Sequence, residues 1–367
     1  MKKQSNSDFV PAFPRRLLAG LTAGLAAVGF AACRPAPATD GLVVVRKVEG
    51  VTDLFWTRIS DSTERAITTT PGREEIWPYW SDGAERLAFE ATDEPGSFHF
   101  DLVLWDPRTD EQSVLVGASF RGDLWHQWSP NGSHLVHVAK SRRGVGVVET
   151  ALATRTPRPL TPNEEGARYL RPHYDALGAR VVAQKRRSGA GSTLWLLQSG
   201  SRPRALTRDP SFRDSKARFT RDGGHVVFSR RPADGGPADI AIVRIAGGEL
   251  HFIASHESAD DHSPWPSPTR EEIVFISNRG GSADVFLVDV NGENLHQLTH
   301  TSDRNEFRPW WSPDGEHLAI TTDSLDTATG EAPDASGFRD PRVVVMDRTG
   351  RVVFETEGYM PDWMPPW

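Results

Sequence analysis

From residue 41 onward the chain is written in short apolar runs separated by turn residues. Glu272-Ile273-Val274-Phe275-Ile276 and Asp284-Val285-Phe286-Leu287-Val288 are rich in β-branched and aromatic side chains, the make-up of strands. Asn278-Arg279-Gly280-Gly281 separates them, and Asn291-Gly292 leads into Leu295-His296-Gln297-Leu298-Thr299. Asn-Gly supplies the positive φ angles of a tight hairpin. Ahead of these three runs the pattern places a first strand that ends on an aromatic residue. A turn such as Ser312-Pro313-Asp314-Gly315 then leads on. Proline presets φ, aspartate bonds its own backbone, and glycine takes φ > 0. The predicted unit is therefore four short strands joined by tight turns.

That unit recurs. Its clearest copy is Arg308-Pro309-Trp310-Trp311-Ser312-Pro313-Asp314-Gly315, followed by His317-Leu318-Ala319-Ile320. Related segments centre on Trp80, Trp128, Tyr174, Phe219, Trp265 and Trp363, and with Trp311 the spacings are 48, 46, 45, 46, 46 and 52. An aromatic at a period near 46 fits a propeller blade, where it fills the gap between neighbouring sheets. Residues 41–70 hold strands at Leu42–Val45, Leu54–Trp56 and Ala66–Thr68 but no first strand. The segment Tyr359–Pro365 offers a first strand and nothing after it. The predicted fold is all-β, a seven-bladed β-propeller over 41–367 closed by pairing the N- and C-terminal strands. The alternative is six blades, with 41–70 packed outside the ring. Closure removes exposed sheet edges, which makes a monomer the default state.

Lys2, Lys3, Arg15 and Arg16 precede an apolar run from Leu17 to Ala32. Its sixteen residues fall short of the roughly 20 that a membrane helix needs. Residues 1–32 read as a cleaved secretory signal peptide. Phe30-Ala31-Ala32-Cys33 is similar to a lipobox, with phenylalanine in place of the usual leucine, and marks Cys33 for lipidation. The alternative is an ordinary signal with Cys33 beside the cut by chance. Arg15-Arg16 resembles a twin-arginine export signal, with general export as the other route. Residues 33–40 make a stiff tether around Arg34-Pro35-Ala36-Pro37-Ala38. The expected location is the periplasmic side of the bacterial cell envelope, held to the membrane by a lipid anchor. Arg34 stands where an aspartate would retain the protein at the inner membrane, which favours the outer membrane.

Composition narrows the function classes. The 367 residues are 38% hydrophobic and 25% charged, which excludes a disordered chain and a multi-span membrane protein. The net charge is -7; residues 1–32 carry four cations against Asp8, or +3, leaving -10 on the remainder. With no basic stretch against that balance, nucleic acid is excluded as a partner. The single cysteine excludes a disulfide framework and a thiolate metal cluster.

Trp311-Ser312-Pro313-Asp314-Gly315, with Ser277-Asn278-Arg279-Gly280-Gly281 and Asp284-Val285-Phe286-Leu287-Val288-Asp289, resembles the TolB-type, WD40-like propeller repeat. The resemblance spans 41–367 and implies the fold. It leaves the activity open, because such repeats serve translocation scaffolds, serine-peptidase propellers and some uronate lyases. The Tol translocation protein carries an α/β domain before its propeller, whereas Arg34 to Asp40 precedes the first strand here. The peptidases add a hydrolase domain, and this chain has no Gly-x-Ser-x-Gly elbow.

Aligned on the repeating aromatic, the units put Glu75, Asp123, Tyr169, Asp214, Asp260, Glu306 and Gly358 five residues before it. The resemblance implies that this acidic position bonds loop backbone. Three residues before it stand Trp77, Trp125, Arg171, Lys216, His262, Arg308 and Met360. The first six are the candidate ligand-binding residues, because strand entries in propellers lie near the mouth of the channel. Arginine grips a carboxylate with two bonds, and tryptophan stacks on flat or sugar-like faces. A peptide carboxylate and an acidic oligosaccharide both fit. The alternative is a structural belt in which these cations pair with the acids two residues earlier. One residue before the aromatic, Tyr79, Gln127, His173, Arg218, Pro264, Trp310 and Asp362 share only polarity.

His256 and His262 flank an acidic loop, and His126, His173 and His262 sit at unequal offsets, so no metal and no cofactor is expected. The polar insert from Asp323 to Asp340 is a candidate lid or partner contact. The function expected is a lipid-anchored envelope propeller, a non-enzymatic scaffold for a protein or peptide. The alternative is a receptor or lyase-type enzyme for an acidic oligosaccharide, acting at the channel mouth.

Overall fold

The computed structural model describes residues 40–97, 99–117, 124–140, 142–189, 191–325 and 338–365. The signal peptide, Cys33 and its tether, Asp123 and most of the 323–340 insert lie outside the described residues. Every regular element among the described residues is a β-strand. The strands fall into groups of four, each an antiparallel meander. The first group joins Gly41–Val48, Val51–Arg58 and Glu64–Ala66 to the C-terminal strand Tyr359–Trp363. The inner strands of the next six groups are Glu74–Ser81, Gln127–Trp128, Ala167–Tyr174, Phe212–Phe219, Asp261–Pro266 and Arg304–Trp311. Single parallel pairs, Val145 with Arg168 and Ser192 with Arg213, join the third, fourth and fifth groups into one hydrogen-bonded sheet.

The terminal pairing anticipated from the sequence is present. Leu42 pairs with Trp363, Val43 with Asp362 and Val45 with Tyr359. Packing follows the same circuit. Leu42, Val44 and Trp363 of the first group bury against Ala319, Val343, Val345 and Phe354 of the seventh. Similar apolar clusters fill the space between each other pair of successive groups. Both faces of each central strand are therefore buried, which explains the unbroken apolar runs at Ile273–Ile276 and Val285–Val288.

The repeating aromatics lie between groups as expected, and they also tie them together. The indole nitrogen of Trp128 donates to the Tyr79 carbonyl at 2.8 Å, that of Trp311 to the Trp265 carbonyl at 3.1 Å, and that of Trp363 to the Trp310 carbonyl at 3.2 Å. The Ser-Pro-Asp-Gly turn behaves as its residues dictate. The Ser312 hydroxyl and the Glu316 amide both donate to Asp314 Oδ1, and Gly315 has φ 72°. A Cβ on Gly315 would come within 2.1 Å of Thr269 Oγ1 in the neighbouring group, so glycine serves both the turn and its packing.

Two expectations need correction. The outer strands are shorter than their apolar runs: only His296–Gln297 pairs within 295–299, and the third strand of the N-terminal hairpin is Glu64–Ala66. Leu298 and Thr299 instead turn their amides onto the Val285 carbonyl. The second correction concerns Trp265. Its carbonyl receives the next group's indole, as those of Tyr79 and Trp310 do, and Pro266 pairs with Ile273 as Trp311 pairs with Leu318. Pro266, not Trp265, therefore holds the between-group position in the sixth group, and the sequence alignment there is one residue out of register.

Trp363 is 4% exposed and serves both the first strand pairing and the cluster across it. Trp363→Ala is expected to destabilise the protein by about 3–5 kcal/mol, read as a fall in the denaturant midpoint. An unchanged midpoint would mean that the terminal strand does not carry the fold.

Candidate functional site

Each inner strand breaks its ladder at one residue. Trp77, Trp125, Arg171, Lys216, Ser263, Arg308 and Met360 all have φ between 45° and 57°. A left-handed non-glycine residue is uncommon, and here one recurs at the equivalent place in every group. The registers slip at these points, between Ile76 and Tyr79, Leu170 and His173, Ser215 and Arg218, His262 and Trp265, and Phe307 and Trp310. Such a bulge re-aims the side chain beside it. The result is convergence: all seven residues line one cavity of about 340 Å³.

The six candidate residues thus come together as predicted, with one correction. His262 does line the cavity, but Ser263 holds the left-handed position, and Asp261 rather than Asp260 is the buried acid of that strand. Asp261 is fully buried, whereas Asp260 sits at the surface with Arg231 at 2.7 Å.

Aromatic faces hold the cations. The Arg308 guanidinium lies 3.9 Å from the centre of the Trp77 ring, Arg218 lies 4.2 Å from Trp265, and Arg171 lies 5.2 Å from Trp125. Stacking of this kind orients a guanidinium and exchanges part of its hydration for the ring face. Below them the inner positions form an aromatic floor. Trp265 and Trp310 are 4.0 Å apart between ring centres, Tyr79 is 5.5 Å from Trp310, and His173 meets Trp265 edge-on at 5.9 Å.

A belt of ion pairs between the cations and the acids two residues earlier does not describe this site. Asp214 pairs with Arg230 through two bonds of 2.8 and 3.0 Å, and Asp261 with Arg279 at 2.6 Å. Glu306 accepts the Val285 amide at 3.0 Å and the hydroxyls of Thr299 and Thr301. Lys216 turns the other way, donating from Nζ to Ser263 Oγ at 2.7 Å, with His262 Nδ1 3.5 Å from the amine.

Concentrated positive charge perturbs its own members. Burial, then Arg171, Arg308, Arg218 and Arg231, lower the Lys216 amine to about 7. Burial brings the Arg218 guanidinium down to about 10. Burial and the Lys216 charge lower His262 to about 3, so its imidazole is neutral at physiological pH and is not one of the cations. His126 is buried with its Nδ1 3.2 Å from Glu90 Oε1. Its Nε2 and the Trp125 indole nitrogen are buried in the cavity wall without hydrogen-bond partners among the described residues.

Sequence reasoning missed Arg218, Trp265, Trp310, His126 and Ser263 as members of this site. One signal could have found the register. Proline follows the left-handed residue at Pro78, Pro172, Pro264, Pro309 and Pro361. Alignment on that proline would have placed Ser263 opposite Arg308 and Trp265 opposite Trp310. Phe338 lines the cavity from the end of the 323–340 insert, the segment the sequence marked as a candidate lid or partner contact. Among the described residues no three histidine, cysteine or carboxylate side chains gather as metal ligands.

Four-stranded groups packed in sequence around a lined central cavity define a β-propeller. Its fold is that of the TolB-like propellers. A protein assigned as a TolB, from Agrobacterium tumefaciens, superposes with a TM-score of 0.53 at 22% identity, covering 72% of this chain and 91% of that one. A prolyl endopeptidase gives 0.65 at 11% identity over 89% of this chain, which spans 50% of the peptidase. An oligogalacturonate lyase from Vibrio parahaemolyticus gives 0.58 at 10% identity, covering 77% of this chain and 83% of that one. Neither a family model nor a curated protein sequence matches this chain.

The lowered Lys216 amine makes a prediction about pH. In the unfolded chain it titrates near its ordinary 10.5, in the folded protein near 7. The cost of burying its charge is present in full below about pH 7 and lifts as pH rises towards 10.5, so this group makes stability increase with pH in that window. Glu75 and Glu306, raised by burial to about 7, act in a lower window, where stability falls between their ordinary 4.5 and 7. Thermal melts of Lys216→Met between pH 7 and 10 are expected to show a flatter slope than the parent. Equal slopes would mean that Lys216 is not a buried ammonium.

Proposed function

We propose that this protein is a binding propeller that grips an anionic group of a protein or peptide partner at the mouth of its channel. The observation that carries this reading is the convergence of Arg171, Lys216, Arg218 and Arg308 in one cavity, where three of them stack on indoles. Burying like charges together in one cavity is costly. A carboxylate offsets that cost, takes paired N–H bonds from guanidinium edges, and restores the Lys216 proton. The Trp125 indole nitrogen and His126 Nε2 add a donor and a second polar contact for the group that carries the carboxylate.

The remaining parts of the proposal concern how the site is carried. The ring is read as seven blades closed between Gly41–Val48 and Tyr359–Trp363, acting as a monomer. Residues 1–32 are a signal peptide, and Cys33 carries the lipid that holds the propeller in the cell envelope through the 33–40 tether. A partner in the envelope would then meet the channel mouth.

A second reading is favoured by two observations. Trp77 and Trp125 offer stacking faces of the kind that sugars use, and the Glu90–His126 pair presents an imidazole in the cavity wall. In that reading the ligand is an acidic oligosaccharide, and the site is a receptor or an eliminating enzyme.

A thermal-shift panel separates the two. A ligand at 100 times its dissociation constant adds about 2.7 kcal/mol. Short peptides with a free C-terminal carboxylate are expected to raise the melting point, and the same peptides as C-terminal amides are not. Arg171→Ala and Arg308→Ala are each expected to remove the shift. A shift given only by uronic oligosaccharides would transfer the site to the second reading. A response surviving both arginine substitutions would place binding elsewhere.

A further inference from the structure

Three side chains in this cavity form a chain of contacts that anion binding does not require. Lys216 comes from one inner strand, and His262 and Ser263 come from the next. Lys216 Nζ is 2.7 Å from Ser263 Oγ, and Ser263 Oγ is 2.9 Å from His262 Nδ1. The Ser263 amide donates to Ser229 Oγ at 3.1 Å, which fixes the backbone behind the hydroxyl. Ser263 also has φ 57°, a left-handed conformation that a side-chain-bearing residue holds only where its surroundings impose it.

We propose that Ser263 is a nucleophile and Lys216 its general base, and that the pair transfers the acyl group of a carboxylate-bearing ester. The inference rests on the anion-binding reading: the substrate's carboxylate is held by the arginines, and its ester carbonyl is presented to the serine. An amine serves as a base when it is neutral near physiological pH, and burial beside Arg171, Arg218, Arg231 and Arg308 lowers Lys216 to about 7. The other titratable group in contact with it is His262, lowered to about 3 and therefore too weak a base to compete for the serine proton at pH 8.

The steps balance within these groups and water. Neutral Lys216 takes the proton of Ser263 as Oγ bonds to the acyl carbon and the carbonyl electrons move to oxygen. The surrounding guanidinium charge stabilises that oxyanion. Its collapse breaks the ester bond, and the leaving alkoxide takes the proton back from Lys216. Water then attacks the acyl-serine, giving a proton to Lys216, which returns it to Ser263 as the carboxylic acid departs. Lysine and serine sit 47 residues apart on different strands, so no sequence motif announces the pair.

The test uses an alkyl fluorophosphonate, which bonds to an activated serine oxygen with loss of fluoride, on the full chain at pH 8. Peptide mass spectrometry is expected to find one phosphonylated residue, Ser263, formed more slowly as pH falls below about 7. General-base contributions run to about 100-fold or more, and Lys216→Met is expected to slow labelling by that factor. The 4-nitrophenyl monoester of adipic acid should be hydrolysed by the parent and not by Ser263→Ala. An unmodified Ser263, or labelling of Lys216→Met at the parental rate, would overturn the proposal. If Lys216→Met fails to fold, the pH profile of the parent decides, and a flat profile overturns it. The thermal shift of the parent with carboxylate peptides is measured alongside the labelling. A shift without labelling therefore sinks only the acyl transfer, whereas no shift in the parent sinks the anion pocket beneath it.

Discussion

A bulge at one residue of each inner strand governs the rest of this structure. An unbroken antiparallel ladder would alternate its side chains between the two neighbouring sheets and leave the channel lined by backbone. The left-handed residue interrupts that alternation. Before it the strand buries an acid, Asp214 against Arg230 of its own group and Glu306 against Val285 and Thr299 of the preceding one, and after it an aromatic such as Trp311 or Phe219 against the neighbour. The bulge itself turns Trp77, Arg171, Lys216 or Arg308 onto the common cavity. Packing and site are thus set by the same few residues of each strand.

Gathering four cations in one cavity sets them against one another, and the protein lays aromatic surface against three of them. Each stacked guanidinium exchanges part of its hydration for the negative face of an indole. Lys216 has no such face: its partners are a hydroxyl and an imidazole, and it alone among the four approaches neutrality near pH 7. The lysine is therefore the member whose charge depends on what occupies the cavity. It is also the one whose chemistry differs from that of an anion clamp.

The fold was legible because the repeating signal is a packing signal. The repeating tryptophan does the same job at Trp128, Trp311 and Trp363, and its period gives the strand groups and the terminal pairing. Five of the six candidate site residues follow from counting back three from that aromatic. The sixth blade defeats the count because Pro266 stands where the aromatic should, and the nearest aromatic, Trp265, belongs to the channel floor. Counting from it selects His262 and hides Ser263. Arg218 was visible in the sequence but not interpretable there, because its role depends on the Trp265 ring that it meets from the next group. The contact between Lys216 and Ser263 joins two strands whose relative height is set by the tertiary packing of the ring.

Proton-linked calorimetry bears closely on the proposal that the channel mouth is an anion site whose charge is completed by its ligand. Succinate is fully ionised at pH 8, where Lys216, lowered to about 7, is mainly neutral. Titration of the full chain with succinate in two buffers of different ionisation heat measures the protons exchanged on binding. The account predicts binding with uptake of close to one proton, lost in Lys216→Met. Binding with no proton uptake, or no binding at all, would contradict it.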